Sequence, residues 1–124
     1  MQDNQGFIWI GTADGLNKYD GYNFIKFKHN PEDSNTISDN NIKDLLQDKK
    51  GRLLVSFNSL GQIACVDPNT GTLLFKASTE AQPRTMALSK SGEYLFVTCY
   101  SGNRLMVYKV LDDRFQLMHS IECP

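Results

Sequence analysis

A ten-residue pattern that occurs three times constrains this 124-residue chain more than any other feature. The copies are DNQGFIWIGT at residues 3–12, DKKGRLLVSF at 48–57 and SKSGEYLFVT at 89–98. In each copy Asp or Ser opens a four-residue segment that Gly closes, as type I turns prefer. The apolar run that follows is typical of a strand covered on both faces. The pattern therefore predicts a tight turn and a buried strand at three places.

The spacing of the copies predicts the architecture. Gly6, Gly51 and Gly92 lie 45 and 41 residues apart, a period that indicates solenoid turns or propeller blades. Shorter strand patterns between the copies bring the total to eleven strands, in groups of three, four and four. Antiparallel groups of four with apolar central strands and polar edges are blades of a β-propeller. We therefore predict an all-β chain, a single partial β-propeller whose first blade lacks its innermost strand.

The predicted blades cover most of the chain. They span about residues 3–31, 42–78 and 84–121. The polar segment 30–41, whose only apolar residue is Ile37, is predicted to be a loop, and residues 42–47 are predicted to form a strand rather than a helical turn. Asp20 and Gly21 indicate a hairpin turn of the Asp-Gly kind.

Composition narrows the function classes. With 40% hydrophobic residues, 22% charged residues and a net charge of −1, the chain has the composition of a soluble globular protein. It shows no basic surface for nucleic acid or for an anionic membrane. Its apolar runs are strand-sized, which argues against a membrane span. No signal peptide pattern follows Met1, which directly precedes the first turn, so we expect a truncated or engineered chain.

Cysteine and aspartate residues are numerous enough to suggest chemistry, but their positions indicate structural roles. Cys65, Cys99 and Cys123 are odd in number and lack CxxC spacing, so we expect neither a disulfide framework nor a zinc site but buried apolar residues. Five aspartates beside Gly or Pro are expected to cap their own turns: Asp3, Asp14, Asp20, Asp48 and Asp67. We predict no metal and no cofactor.

The candidate binding residues lie where strands end or begin. Trp9 stands inside an apolar strand and is predicted to be core. Tyr100 follows a strand in the segment CYSGN, in a loop on the face where propellers usually bind ligands. Comparable loops hold Asp14, Asn58 and Asn103, and Arg84 begins an innermost strand beside the channel.

The sequence does not predict an enzyme. Catalysis at His29 or His119 would need a nucleophile and an orienting acid nearby, and the sequence indicates neither.

Residues 3–57 resemble the two-component regulator propeller repeats. The matching segments are DNQGFIWIGTADGLNKYDGYNF and HNPEDSNTISDNNIKDLLQDKKGRL, and the pattern departs at LLVSFNSLG, where that family usually has Trp and another Gly-Thr. These repeats form the periplasmic sensing region of hybrid histidine kinases. The resemblance implies a ligand-sensing module, a periplasmic location and a saccharide as the candidate ligand.

From about Ser59 onward the chain resembles a second propeller family, the YVTN or lactonase-like repeats. The matching segments are VDPNTGTLL, PRTMALSKSGEYLFVT and NRLMVYKV. The change of repeat type suggests a natural mosaic or a chimera. Two alternatives to the sensing module follow: a recombined propeller scaffold with no evolved ligand, and a lactonase-like hydrolase fragment.

Three blades would leave apolar sheet faces without a neighbour. We therefore expect self-association, most simply as a homodimer that closes a ring of six blades.

Overall fold

Each repeated pattern forms a turn and a following strand in a computed structural model of the chain. The structure describes residues 1–79, 82–99 and 103–122. In these residues eleven strands form three antiparallel sheets of three, four and four strands, which confirms the predicted fold class. No helix long and apolar enough to cross a membrane occurs in the described part of the chain.

The sheets follow one another along the chain, and we call them blades 1, 2 and 3. Blade 1 contains β1 (Ile8–Thr12), β2 (Gly15–Tyr19) and β3 (Phe24–Phe27). Blade 2 contains β4 (Asp44–Gln47), β5 (Leu53–Phe57), β6 (Gln62–Val66) and β7 (Leu73–Ser78). Blade 3 contains β8 (Pro83–Leu88), β9 (Tyr94–Cys99), β10 (Arg104–Val110) and β11 (Phe115–Glu122). Each strand pairs with the next strand of its blade.

The three repeated turns have the predicted hydrogen bond. The backbone N–H groups of Gly6, Gly51 and Gly92 donate to the carbonyls three residues earlier at 3.1, 3.1 and 2.9 Å. All three glycines have positive φ angles, of 91°, 84° and 79°, which a residue without Cβ adopts without strain.

The third turn is one residue longer than the other two. The N–H of Asp48 bonds to the carbonyl four residues later, whereas the N–H of Ser89 bonds to the carbonyl of Tyr94, five residues later. Because side chains alternate along a strand, this extra residue changes which residues of β9 face blade 2. Leu95 and Val97 therefore occupy the positions that Leu53 and Val55 have in blade 2. Counting from the glycines would instead place Tyr94 and Phe96 there.

The hydrophobic core consists of two clusters, one between each pair of neighbouring blades. Trp9 and Leu16 of blade 1 pack with Leu53, Val55 and Phe57 of blade 2, and Trp9 is fully buried as predicted. On the other face of blade 2 a second cluster includes the buried residues Leu54, Ile63, Cys65, Leu95, Val97, Met106 and Tyr108. β5 is buried along its whole length because it contributes to both clusters.

Blade 1 has no strand that corresponds to β4 or β8 among the described residues, in agreement with the predicted gap. Only Met1 and Gln2 lie at this position: the backbone groups of Met1 and Trp9 exchange hydrogen bonds of 2.7 and 2.9 Å, and Gln2 forms an isolated bridge with Ile8. The inner edge of β1 is thus covered at one end only.

Two connecting segments show what local patterns do and do not predict. Residues 30–41 contain no strand or helix, as predicted, and Ile37 is fully buried there as part of the core between blades 1 and 2. The β2–β3 hairpin turn is centred on Gly21 and Tyr22 rather than on Asp20 and Gly21. Asp20 is the first residue of this turn, and its N–H donates to the carbonyl of Asn23 at 3.3 Å.

Candidate ligand-binding cleft

Arg84 lies at the centre of a polar cleft at one end of the blades. It is the second residue of β8, whose first residue, Pro83, stands where a missing N–H is tolerated. β8 is the innermost strand of blade 3 and packs beside β4 and β5 of blade 2. The exposed side chain of Arg84 lines two cavities, one toward blade 2 and one toward Thr98 and Asn103 of blade 3.

The first cavity has a volume of about 300 Å³ and is lined by Lys43, Asn58, Gln82 and Arg84. Asn58 lies in the β5–β6 turn and donates from Nδ2 to the carbonyl of Pro83 at 2.8 Å. Lys43 directly precedes β4, and its N–H donates to the carbonyl of Ser56 at 2.9 Å. These bonds hold the β5–β6 turn and the two inner strands in a defined arrangement around the cavity.

The second cavity also has a volume of about 300 Å³ and is lined by Arg84, Thr98, Cys99 and Asn103. The hydroxyl groups of Thr85 and Thr98 lie 2.7 Å apart, so the inner two strands of blade 3 are joined by side chains as well as by their backbones. Asn103 has a φ angle of 48°, in the left-handed region that Asn tolerates better than most residues. Arg84 therefore connects two cavities that have different linings.

The lining of the cleft favours ligands with oxygen atoms. Lys43 and Arg84 carry positive charges, while Asn58, Gln82 and Asn103 supply amides. Guanidinium groups bind carboxylates and phosphates in a planar, two-bonded geometry, and amides can both donate to and accept from hydroxyl groups. The lining is thus chemically complementary to oxygen-rich groups that carry a negative charge.

Of the predicted binding residues, the structure brings Asn58, Arg84 and Asn103 to this cleft. Tyr100 lies outside the described residues. The sequence analysis did not predict three of the lining residues, Lys43, Gln82 and Thr98. Lys43 and Gln82 immediately precede the innermost strands β4 and β8, and this position is the signal by which the sequence could have indicated them.

Asp14 does not line either cavity. Its carboxylate forms ion pairs with Lys26 at 3.2 Å and Lys28 at 3.0 Å, at the outer strand of blade 1. The ammonium groups of Lys28 and Lys26 lower the pKa of Asp14. The expectation that Asp14 caps its own turn was wrong, because the hydroxyl of Thr12 accepts the N–H of Asp14 instead, at 2.9 Å.

The other four aspartates cap their turns as predicted. Each carboxylate accepts at least one backbone N–H from the turn that it begins, and the residues are Asp3, Asp20, Asp48 and Asp67. Asp3 also accepts the indole N–H of Trp9 at 2.8 Å, so one carboxylate orders both the turn and the largest core side chain. These aspartates are occupied by structural hydrogen bonds.

Two of the three cysteines are buried, as predicted, and Cys123 lies outside the described residues. Cys65 is fully buried in the cluster between blades 2 and 3, and Cys99 is buried at the same interface. Burial raises the pKa of the Cys65 thiol to about 12. A thiol with this pKa is protonated at neutral pH and behaves as a small apolar side chain.

No known protein-family profile matches this chain. A curated relative, histidine kinase P4 of Formosa agariphila, is 57% identical over 37 residues, which are 30% of this chain and 3% of the kinase. The chain therefore spans only a small part of that relative's length.

Solved structures resemble nearly the whole chain. A β-propeller domain of Swd1 from Myceliophteria thermophila covers 87% of the chain with a TM-score of 0.67 and 14% identity. The fold is that of β-propeller blades. A periplasmic gluconolactonase of Pseudomonas aeruginosa covers 98% with a TM-score of 0.71 and 18% identity. The extracellular domain of a putative hybrid two-component system from Bacteroides thetaiotaomicron covers 96% with a TM-score of 0.59 and 19% identity.

This chain is much shorter than these propellers. It covers 40% of the Swd1 domain, 38% of the gluconolactonase and 24% of the two-component domain. At these identities the similarity concerns the fold of the propeller blades.

Proposed function

We propose that this chain is a non-enzymatic propeller module that binds a soluble saccharide carrying a carboxylate. The observation that carries the proposal is the position of Arg84, which lines two adjacent cavities, one of them together with Lys43. The similarity of 37 residues to a histidine kinase, and of the fold to the extracellular domain of a two-component system, supports a sensing role.

The size and chemistry of the cleft support a sugar ligand. Each cavity, at about 300 Å³, lies at the lower end of the range for small-molecule sites. The amides of Asn58, Gln82 and Asn103 match sugar hydroxyl groups. A uronic acid would offer its carboxylate to the guanidinium group of Arg84 and the ammonium group of Lys43, a contact that a neutral sugar cannot make.

The test is isothermal titration calorimetry of the protein with glucuronate and galacturonate, compared with glucose and galactose. We expect the uronates to bind more tightly than the neutral sugars, and we expect this preference to weaken at high salt because charge interactions at an open site are screened. The absence of binding by any of the four sugars at millimolar concentration would contradict the proposed ligand class.

Two variants test the site itself. Arg84→Ala and Lys43→Ala are each expected to weaken uronate binding by about tenfold or more, the equivalent of one lost charge-assisted hydrogen bond. Arg114→Ala removes an exposed arginine in the β10–β11 turn and serves as the matched control. Circular dichroism and thermal melting establish that each variant folds.

The non-enzymatic part of the proposal has its own test. Incubation with sugar lactones should leave them unchanged beyond the buffer rate. Lactone hydrolysis that disappears in Arg84→Ala would overturn this part and favour the hydrolase.

A further inference from the structure

The outermost faces of blades 1 and 3 both carry apolar side chains, beside polar ones such as Asn17 on blade 1 and Thr98 on blade 3. On blade 1 the face that points away from blade 2 carries Ile8, Ile10, Tyr19 and Phe24; Ile10 is 43% exposed and Phe24 is 64% exposed. We call this the leading face.

On blade 3 the face that points away from blade 2 carries Phe96, Leu105, Val107 and Ile121. Phe96 is 36% exposed and Ile121 is 49% exposed. We call this the trailing face. Exposed apolar surface of this kind on a sheet marks a site of contact with another protein.

The trailing face has the same layout as a face that is already packed in this protein. Phe96 pairs with Val107 as Leu54 pairs with Cys65 on blade 2. Thr98 lies two residues after Phe96, as Ser56 lies two residues after Leu54. Leu105, which pairs with Thr98, therefore has the position of Ile63, which pairs with Ser56. The blade 2 residues pack against blade 3, so the trailing face is built to receive another blade.

The leading face corresponds to the opposite side of such a contact. Ile8 pairs with Tyr19 as Leu95 pairs with Tyr108 on blade 3. Leu95 and Tyr108 are buried against blade 2, and the hydroxyl of Tyr108 donates to the carbonyl of Ser78 in blade 2 at 3.1 Å. A trailing face and a leading face are therefore the two halves of the contact that this chain makes twice internally.

We propose that the leading face of one copy of this chain packs against the trailing face of a second copy. The two faces differ, so the contact is head-to-tail and a closed assembly must use it more than once. Propellers typically contain four to eight blades. Two copies of the 124-residue chain give six blades and three copies exceed this range, so we expect this chain by itself to form a ring of two copies with two identical contacts.

This inference does not rest on the proposed ligand. The ring depends on the blade faces, whereas the first cavity at Arg84 lies within one copy, between blades 2 and 3, and is lined by neither Ile10 nor Phe96. Loss of sugar binding and loss of assembly are separate results.

The test is the absolute mass in solution, by light scattering behind a sizing column, over a wide range of concentrations. The parent protein should reach the mass of two copies and not exceed it. Ile10→Asp disables the leading face and Phe96→Asp disables the trailing face, and each should raise the apparent dissociation constant at least about tenfold. Leu74→Asp, at an equally exposed leucine on β7, is the matched control and should leave the mass unchanged.

A mixture of the two variants distinguishes this contact from others. Each variant retains the face that its partner lacks, so at the highest concentration the mixture should contain pairs that neither variant forms alone. Circular dichroism and thermal melting establish that the variants fold, and the milder Ile10→Thr and Phe96→Thr replace any that do not.

Four results would overturn the proposal. The parent protein could stay monomeric at every concentration, or grow beyond two copies without limit. Sensitivity to only one of the two Asp variants would indicate a contact between like faces. An effect of Leu74→Asp as large as theirs would place the contact elsewhere.

Discussion

Ile42 packs on Gly11 so closely that a Cβ at Gly11 would overlap Cγ2 of Ile42 and lie 2.9 Å from its Cβ. The N–H of Ile42 also donates to the carbonyl of Thr12 at 2.8 Å. Because Ile42 lies just before β4, this contact fixes where the chain enters blade 2 relative to blade 1.

The contact predicts a strong coupling between the two positions. Gly11→Ala should destabilise the protein by about 1–3 kcal/mol through overpacking. Ile42→Ala should cost about 2–5 kcal/mol because it leaves a cavity. In the double variant the alanine at 11 occupies part of that cavity, so its cost should be smaller than the sum of the two by at least about 0.5 kcal/mol. Urea unfolding of all four proteins measures the coupling, and strict additivity would show that the two side chains do not compete for space.

Asp44 connects the inner strands of blades 2 and 3. Its Oδ2 accepts the N–H of Met86 at 2.7 Å, while its Oδ1 accepts the N–H of Leu45 at 2.8 Å. Asp44→Ala should lower the free energy of unfolding by about 1–3 kcal/mol because the N–H of Met86 loses its acceptor. Asp44→Asn keeps an oxygen acceptor and should cost less. Asp113→Ala, at an exposed carboxylate, is the control, and an equal effect of Asp113→Ala would argue against a special role for Asp44.

Arg52 joins blade 2 to the β10–β11 turn of blade 3. Its Nε donates to the buried carboxylate of Asp48 at 2.7 Å, and its other nitrogens donate to the carbonyls of Asp112 and Leu111 at 2.8 and 3.2 Å. Arg52→Ala leaves the Asp48 charge buried without its partner and should cost about 3–5 kcal/mol. The measurement is the urea midpoint with an unchanged slope. Arg114→Ala is the control, and a cost below 1 kcal/mol for Arg52→Ala would mean that water replaces the guanidinium.

Stability should fall at alkaline pH because of Cys65. Desolvation raises the pKa of this thiol to about 12 from an ordinary value of 9.0, a change that Asp48 and Asp67 reinforce and Arg52 opposes. The folded state therefore holds the thiol proton more tightly than the unfolded state. The contribution is fully present below pH 9 and is lost progressively as pH rises toward 12, by up to about 1.4 kcal/mol per pH unit.

Cys65→Ala isolates this effect from the other groups that titrate in the same range. The variant will be less stable at pH 8 because it loses volume in the core, but its free energy of unfolding should depend less steeply on pH above 9 than that of the parent protein. Parallel curves for the two proteins would contradict a raised thiol pKa.

The number of strands and the positions of the three repeated turns were predictable because both are local properties. The Asp or Ser and Gly at fixed offsets specify each turn through hydrogen bonds within a few residues, as Asp48 and Gly51 show. Apolar runs such as residues 53–57 specify buried strands. The blade architecture then follows from the repeat period.

The candidate cleft was predictable only in part. Asn58, Arg84 and Asn103 stand at strand ends, which is visible in the sequence. Asp14 stands at an equivalent strand end, yet Lys26 and Lys28 draw its carboxylate toward the outer strand. These lysines lie 12 and 14 residues away in the chain, so their proximity depends on the β2–β3 pairing rather than on any local pattern.

The amino-acid sequence by itself determines the strands, their order and the three repeated turns, because hydrogen bonds and the alternation of side chains over a few residues specify these features. Which side of a strand is buried depends on the packing of whole blades. One extra residue in the turn after Ser89 places Leu95 and Val97, rather than Tyr94 and Phe96, against blade 2. The side of β9 that packs against blade 2 is thus decided by the burial of a complete sheet face. Phe96 remains on the surface, where we expect a second copy to bind.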